Sequence, residues 1–159
     1  MRRRALLSLI TSLALPSCAH QSAPAVSSTD GMRWIEVQGE EPKLAFGAPD
    51  SDVLVLMMTC APKSGAVSIA FFAGPSAPGG TLHLSSGKTH ARLAARATAP
   101  DAEGPTNDVV VEADSSATAP VLTSFARTGE LSAGTSGSAM PLPTAEPRMA
   151  SRFVERCAR

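Results

Sequence analysis

The residues best suited by type to chemistry are three histidines, three cysteines and a few grouped acids. His83 and His90 flank Ser85-Ser86-Gly87-Lys88, a run of turn formers. If that turn joins two strands, both imidazoles reach adjacent strands, where such a pair could bind a metal or exchange a proton. The plainer reading is two polar residues on a solvated face, and no HExxH motif argues against it. His20 lies in a polar stretch near the N-terminus and has no partner of that kind in sequence. Asp50 and Asp52, with Asp30, Glu40 and Glu41 elsewhere, raise the question of calcium. Calcium takes six or more oxygens at set spacing. Two aspartates among Gly, Pro and Ser are better explained as turn formers. There is no GxSxG, and Gly134-Thr135-Ser136-Gly137 lacks the strand-to-helix setting that a nucleophile elbow needs. No GxxxxGK[ST] loop is present to cradle phosphate. The sequence therefore predicts no catalytic set, no metal site and no cofactor.

The N-terminus has a different chemistry. Arg2, Arg3 and Arg4 precede Ala5 to Leu15, an apolar run broken only by Ser8, Thr11 and Ser12. Spanning ~30 Å of hydrocarbon takes about 20 apolar residues, so the run is too short for a mature membrane helix. A basic start, a short apolar core and small residues after it describe an export signal. The alternative, a buried amphipathic helix, fits poorly with a run that is apolar all round and stops at Pro16. Leu15-Pro16-Ser17-Cys18 resembles the lipobox of bacterial lipoproteins. The resemblance implies that residues 1–17 are removed and that Cys18 is acylated and becomes the new N-terminus. Ala19, in place of the Asp that retains such proteins at the inner membrane, implies sorting to the outer membrane. Pro16 departs from the lipobox pattern. Plain secretion, with cleavage near Ser17-Cys18-Ala19 or Ala23-Pro24-Ala25, is the alternative. Several acyl chains on one cysteine suffice for anchoring, at about 0.8 kcal/mol per buried CH₂.

Cysteine parity fits acylation. Three cysteines in an exported chain leave one unpaired. If Cys18 carries lipid, Cys60 and Cys157 remain as a pair in an oxidising compartment. Joining them would close a loop of about 97 residues, for which chain entropy predicts about 4–5 kcal/mol. Two buried free thiols are the other reading. A zinc site is not expected from two thiols without a CxxC or a neighbouring histidine.

The elements that must position these residues follow from periodicity. Residues 18–31 form a polar tether, and residues 32–159 the domain. Arg33 to Val37 and Lys43 to Phe46 read as short strands, and Val53 to Cys60 as a central strand with both faces covered. Pro62 to Gly65 turns the chain and Ala66 to Phe72 returns it, the clearest hairpin in the sequence. Leu82 and Leu84 alternate with polar residues. His90 to Thr98 fits a strand or a helix by composition. Ala99 to Asp108 reads as a Pro/Gly/acidic loop, Val109 to Asp114 as a strand, Val121 to Thr128 as another, and Leu131 to Pro143 as a loop. From a cap at Thr144, Met149, Phe153 and Cys157 share one face of a C-terminal helix, with Arg148, Arg152 and Arg156 on another. About seven strands and one helix predict a mainly β domain, an antiparallel sandwich or partly open barrel. The high content of Gly (12) and Pro (13) suits such a turn-rich fold.

Phe46-Gly47-Ala48-Pro49-Asp50-Ser51-Asp52, a strand ending at Cys60, and a final helix with Phe153 and Cys157 resemble small uncharacterised exported proteins of alphaproteobacteria. That resemblance implies a periplasmic β-rich domain and supplies no catalytic residues. The net charge of zero counts the signal; without Arg2, Arg3 and Arg4 the balance is −3. Neither value suits a nucleic-acid binder. The expected function is a lipid-anchored envelope protein acting as a non-catalytic binding or structural module. Its partners would be the membrane through Cys18, and an envelope protein or glycan. The Arg148, Arg152 and Arg156 stripe is either solvated or set against anionic lipid or glycan. Two rivals are an inhibitor of a cell-wall hydrolase and a minor periplasmic hydrolase using His83 or His90.

Overall fold

A computed structural model describes residues 31–37, 39–74, 77, 79–98, 109–135, 137 and 139–158. The signal, Cys18, His20, Asp30 and the loop expected at 99–108 lie outside them. The chain runs β1 (Arg33–Val37), β2 (Lys43–Gly47), β3 (Leu54–Thr59), β4 (Ala66–Ala73), β5 (Gly80–Ser86), β6 (Thr89–Thr98), β7 (Val109–Ser116), α1 (Pro120–Thr128), β8 (Ser132–Gly134), β9 (Met140–Pro141) and α2 (Pro147–Ala158). The nine strands make one antiparallel sheet in the order β1-β2-β3-β4-β7-β6-β5-β8-β9, curled into a half-barrel. Of the two architectures expected, the partly open barrel is the one formed.

Strand alternation explains the curl's two faces. Val67, Ile69, Phe71 and Ala73 of β4 are buried, as are Leu82 and Leu84 of β5 and Val111 and Ala113 of β7. Each set is spaced by two residues, so each points to one side. Both helices join the same core through Val121, Leu122 and Phe125 of α1 and Ala150, Phe153 and Val154 of α2. They fill the concave side. Trp34 on β1 packs against Phe46 at 5.5 Å and Phe125 at 5.3 Å between ring centres. Its indole N–H donates to the Pro143 carbonyl at 2.6 Å. That bond ties the β1 edge to the segment following β9, which satisfies a polar atom that burial would otherwise strand.

The expected disulfide is present. Cys60, just after β3, bonds Cys157 in the last turn of α2, with Cα atoms 5.7 Å apart. The β3–β4 turn also caps α2, since Lys63 N–H donates to the Arg156 carbonyl and Gly65 N–H to that of Cys157. These carbonyls have no partner within a helix, so the turn supplies one. The helix starts at Pro147, three residues after the expected Thr144 cap, because Pro147 supplies a first-turn φ and needs no amide partner.

Two expectations are corrected. Residues 121–128 are helix α1, not a strand. Val121, Leu122 and Phe125 follow helical spacing, Pro120 starts the helix, and Gly129 stops it at φ 71° with its N–H on the Phe125 carbonyl. The predicted loop of residues 131–143 contains β8 and β9, so the sheet has nine strands rather than about seven. A three-residue strand of Ser, Ala and Gly and a two-residue strand of Met and Pro are too short to carry an alternation that would reveal them. Residues 90–98, open between helix and strand, lie in β6.

Candidate functional site

The convex face of β5, β6 and β7 carries His83 and His90, which the sequence placed on adjacent strands, together with further charged side chains. Ser86 and Thr89 flank a two-residue turn, Gly87-Lys88, with Gly87 at φ 55°. Glycine at the first central position is what a type II′ hairpin requires. The turn fixes the register, with His83 opposite Arg92 and Ser85 opposite His90. Both histidines therefore lie on the convex face as the hairpin reading expected, but diagonally rather than face to face. Residues on the diagonal of an antiparallel pair are about 7–8 Å apart. The group directly across from His83 is a guanidinium, which can neither ligate a metal nor accept a proton.

Farther along the same face, Arg96 stands opposite Glu112 in the β6–β7 register. Glu112 and Asp114 are spaced by two residues on β7 and are exposed like Arg92 and Arg96. The face thus presents cations on β6 and carboxylates on β7. No cluster of three or more His, Cys, Asp or Glu that could hold a metal exists among the described residues. Asp50 and Asp52 belong to a turn closed by Ser51, whose hydroxyl donates to the Ala48 carbonyl and accepts the Val53 N–H. Asp50 takes φ 57° there, as a turn former does.

Three cavities among the described residues do not gather the histidines. One, of about 350 Å³, lies between the β5–β6 turn and β8–β9 and is lined by Ser85, Ser132, Glu130 and Thr144 among others. A second, of about 270 Å³, borders Cys60, Glu41, Ser68 and Asp114. A third, of about 230 Å³, is lined by Ala94, Ala95, Arg96, Glu112, Ala113 and Asp114. Neither histidine lines any of the three. The third cavity marks the place where β6 and β7 part. The sequence signal for this face was the alternation His90, Arg92, Ala94, Arg96, legible once residues 90–98 are read as a strand.

The arginine stripe of α2 has a specific partner. Arg152 donates to Glu36 of β1 at 2.9 Å, and Arg156 lies 3.8 Å from the same carboxylate. The Glu36 hydrogen bond, with its charge, raises the Arg152 pKa further above its usual value. A raised cation stabilises the fold below its unfolded pKa, and the contribution is lost only as pH rises through the folded value. For an arginine that window is strongly alkaline, so the Arg152 shift adds no pH dependence near neutrality. Salt, not pH, should tune it, since both partners meet water. Glu36→Gln is expected to lower the urea midpoint slightly in low salt, with the difference from wild type vanishing in 1 M NaCl (roughly a 3 Å Debye length). A difference that persists in high salt would assign Glu36 a packing role instead.

The chain matches no family model, no curated protein and no solved structure.

Proposed function

We propose that this is a lipid-anchored protein of the bacterial cell envelope, whose β-domain works as a binding or structural module rather than a catalyst. The observation that carries the reading is the cysteine pairing. Cys60 and Cys157 are bonded to each other, which leaves Cys18, at the end of the lipobox-like Leu15-Pro16-Ser17-Cys18, as the remaining thiol. A long-loop disulfide also suits the oxidising compartment to which an export signal leads. Ala19 favours the periplasmic face of the outer membrane. The non-catalytic part draws support from the convex face, where His83 meets Arg92 across the strands rather than a nucleophile or an orienting carboxylate.

The test is metabolic labelling of cells with a fatty acid. The wild-type chain is expected to take up label and to fractionate with membranes. Cys18→Ser should abolish both while leaving the disulfide intact in the exported protein. A wild-type chain that stays unlabelled, or a serine variant that labels equally, would remove the anchor and leave a freely secreted domain.

A further inference from the structure

Strands β6 and β7 are paired over only part of their lengths. Pairing covers only Ala95 to Thr98 against Ala113 to Val110. The strands themselves extend farther, β6 back to Thr89 and β7 on to Ser116. Over that stretch β7 stays with β4, to which it pairs as far as Ser116, and β6 stays with β5 as far as Thr89. The two strands therefore diverge into a wedge with the cavity of Ala94, Ala95, Arg96, Glu112, Ala113 and Asp114 at its apex. Helix α1 bridges the wide end on the concave side. It leaves the end of β7, where Ala119 N–H caps the Ser116 carbonyl. It reaches the β5–β6 turn, where the Ser124 hydroxyl donates to the Ser86 carbonyl.

The hairpin geometry says which backbone groups face the wedge. Across a two-residue turn the flanking pair, Ser86 and Thr89, is hydrogen-bonded. Bonded and non-bonded pairs then alternate. Thr89, Ala91 and Leu93 direct their N–H and C=O toward β5. His90, Arg92 and Ala94 direct theirs toward β7. Ala94 still reaches it, because the non-bonded Ala95–Ala113 pair has a bonded position on each side, but His90 and Arg92 have no strand partner among the described residues. A row of unpaired strand groups is a template for another strand. Side chains define what would fit. His90, Arg92 and Ala94 are exposed on the convex face, and Ala91 and Leu93 are half-buried against the core. Lys88 is exposed at the turn, and Arg127 is exposed in the last turn of α1, the end that meets it. Among the described residues, three cations, Lys88, Arg92 and Arg127, stand at the wide end against one carboxylate, Glu130, which lies beside the same turn.

We propose that the open edge of β6 at His90 and Arg92 receives an extended peptide segment of a partner protein by strand addition. Its acidic residues face outward beside Arg92 and Lys88, and its apolar residues face inward beside Ala91 and Leu93. Main-chain hydrogen bonds supply the affinity, and the alternation of acidic and apolar side chains supplies the selection. This inference rests on the binding reading above and names the partner's chemistry. Exposed basic residues also serve as guards that keep open edges from self-pairing. A guard repels cationic strands without recruiting anionic ones, so the two roles separate by experiment.

The exported full-length chain carrying Cys18→Ser serves as the test protein, so failure here is independent of the anchor. The probe is an acetylated octapeptide alternating glutamate and valine, with a lysine–valine octapeptide as control. Amide hydrogen exchange at His90 and Arg92 is expected to slow at least about tenfold with the acidic peptide, and to remain unchanged with the basic one. Arg92→Glu with Arg96→Glu should weaken the acidic peptide about tenfold or more, a loss of about 1.4 kcal/mol, and admit the basic one. His90→Pro should weaken protection at Arg92 at little cost to the fold, because the N–H it deletes has no strand partner among the described residues. Equal binding of both peptides, protection confined to β1 or β9, or no protection with a millimolar excess of the acidic peptide would each overturn the proposal.

Discussion

Replacing Cys60 and Cys157 together by alanine should lower the melting temperature by about 10–20 °C. The bond closes a loop with a sequence separation of 97, for which loop entropy gives about 4–5 kcal/mol and experience with native bridges 2–5 kcal/mol. In a domain of this size each kcal/mol is about 3–5 °C. The fold itself should persist. Phe153, Val154 and Ala150 keep α2 in the core, and the Lys63 and Gly65 amides still cap its last turn. Guanidinium unfolding separates the two ways the loss could arise. If the bridge acts on the unfolded chain, its removal exposes more surface on unfolding, so the slope m rises while the midpoint falls. If it acts by holding α2 in place, the midpoint falls with m unchanged or lower. The length of the loop favours the first outcome. A shift in melting temperature below about 3 °C would mean that packing alone holds α2 and that the bridge adds little.

That bridge was legible in the sequence because parity and export converge on it, two independent constraints on one pair. The hairpin of β3 and β4 was legible for a similar reason, with a long apolar run, a Pro-Lys-Ser-Gly turn and a second run. Helix α1 was not. Its stretch Pro120–Thr128 holds β-branched Val121, Thr123 and Thr128, residues that favour strands by propensity. Helical spacing of Val121, Leu122 and Phe125 and the Gly129 stop outweigh propensity once a concave sheet offers a surface to cover. Strands β8 and β9 exist because β5 has an edge to be covered, a fact that lies in β5 and not in Ser132–Gly134. The same limit applies to the candidate site. The residues of β6 could be read as a cationic strand face, but its open edge could not. The wedge depends on β7 leaving β6 at Ala113 to stay with β4, a choice between partners far apart in sequence.

Phe125→Ala should destabilise the domain by about 3–5 kcal/mol, comparable with loss of the disulfide. Phe125 is fully buried and belongs to an element that meets both the sheet and α2. Its ring lies against Trp34, and Trp34 is held from its other end by Phe46 and by the Pro143 carbonyl. Truncation removes transfer energy and leaves a void whose walls are held by strands on one side and by α2 on the other. Neither wall can close freely, so the upper part of that range applies. The chain has one tryptophan, which makes the site its own reporter. Tryptophan emission should shift to longer wavelength in Phe125→Ala as water gains access to the indole, and circular dichroism should stay near wild type below the transition. Phe125→Leu, which refills most of the volume without the ring contact, should recover all but about 1–2 kcal/mol. If Phe125→Ala proves nearly neutral, α1 does not seal the concave side of the sheet. The wedge between β6 and β7 would then lack the rigid backing on which strand addition depends. Stability at Phe125 and peptide binding at Arg92 are therefore linked: destabilising α1 should weaken the octapeptide even though no atom of Phe125 faces it.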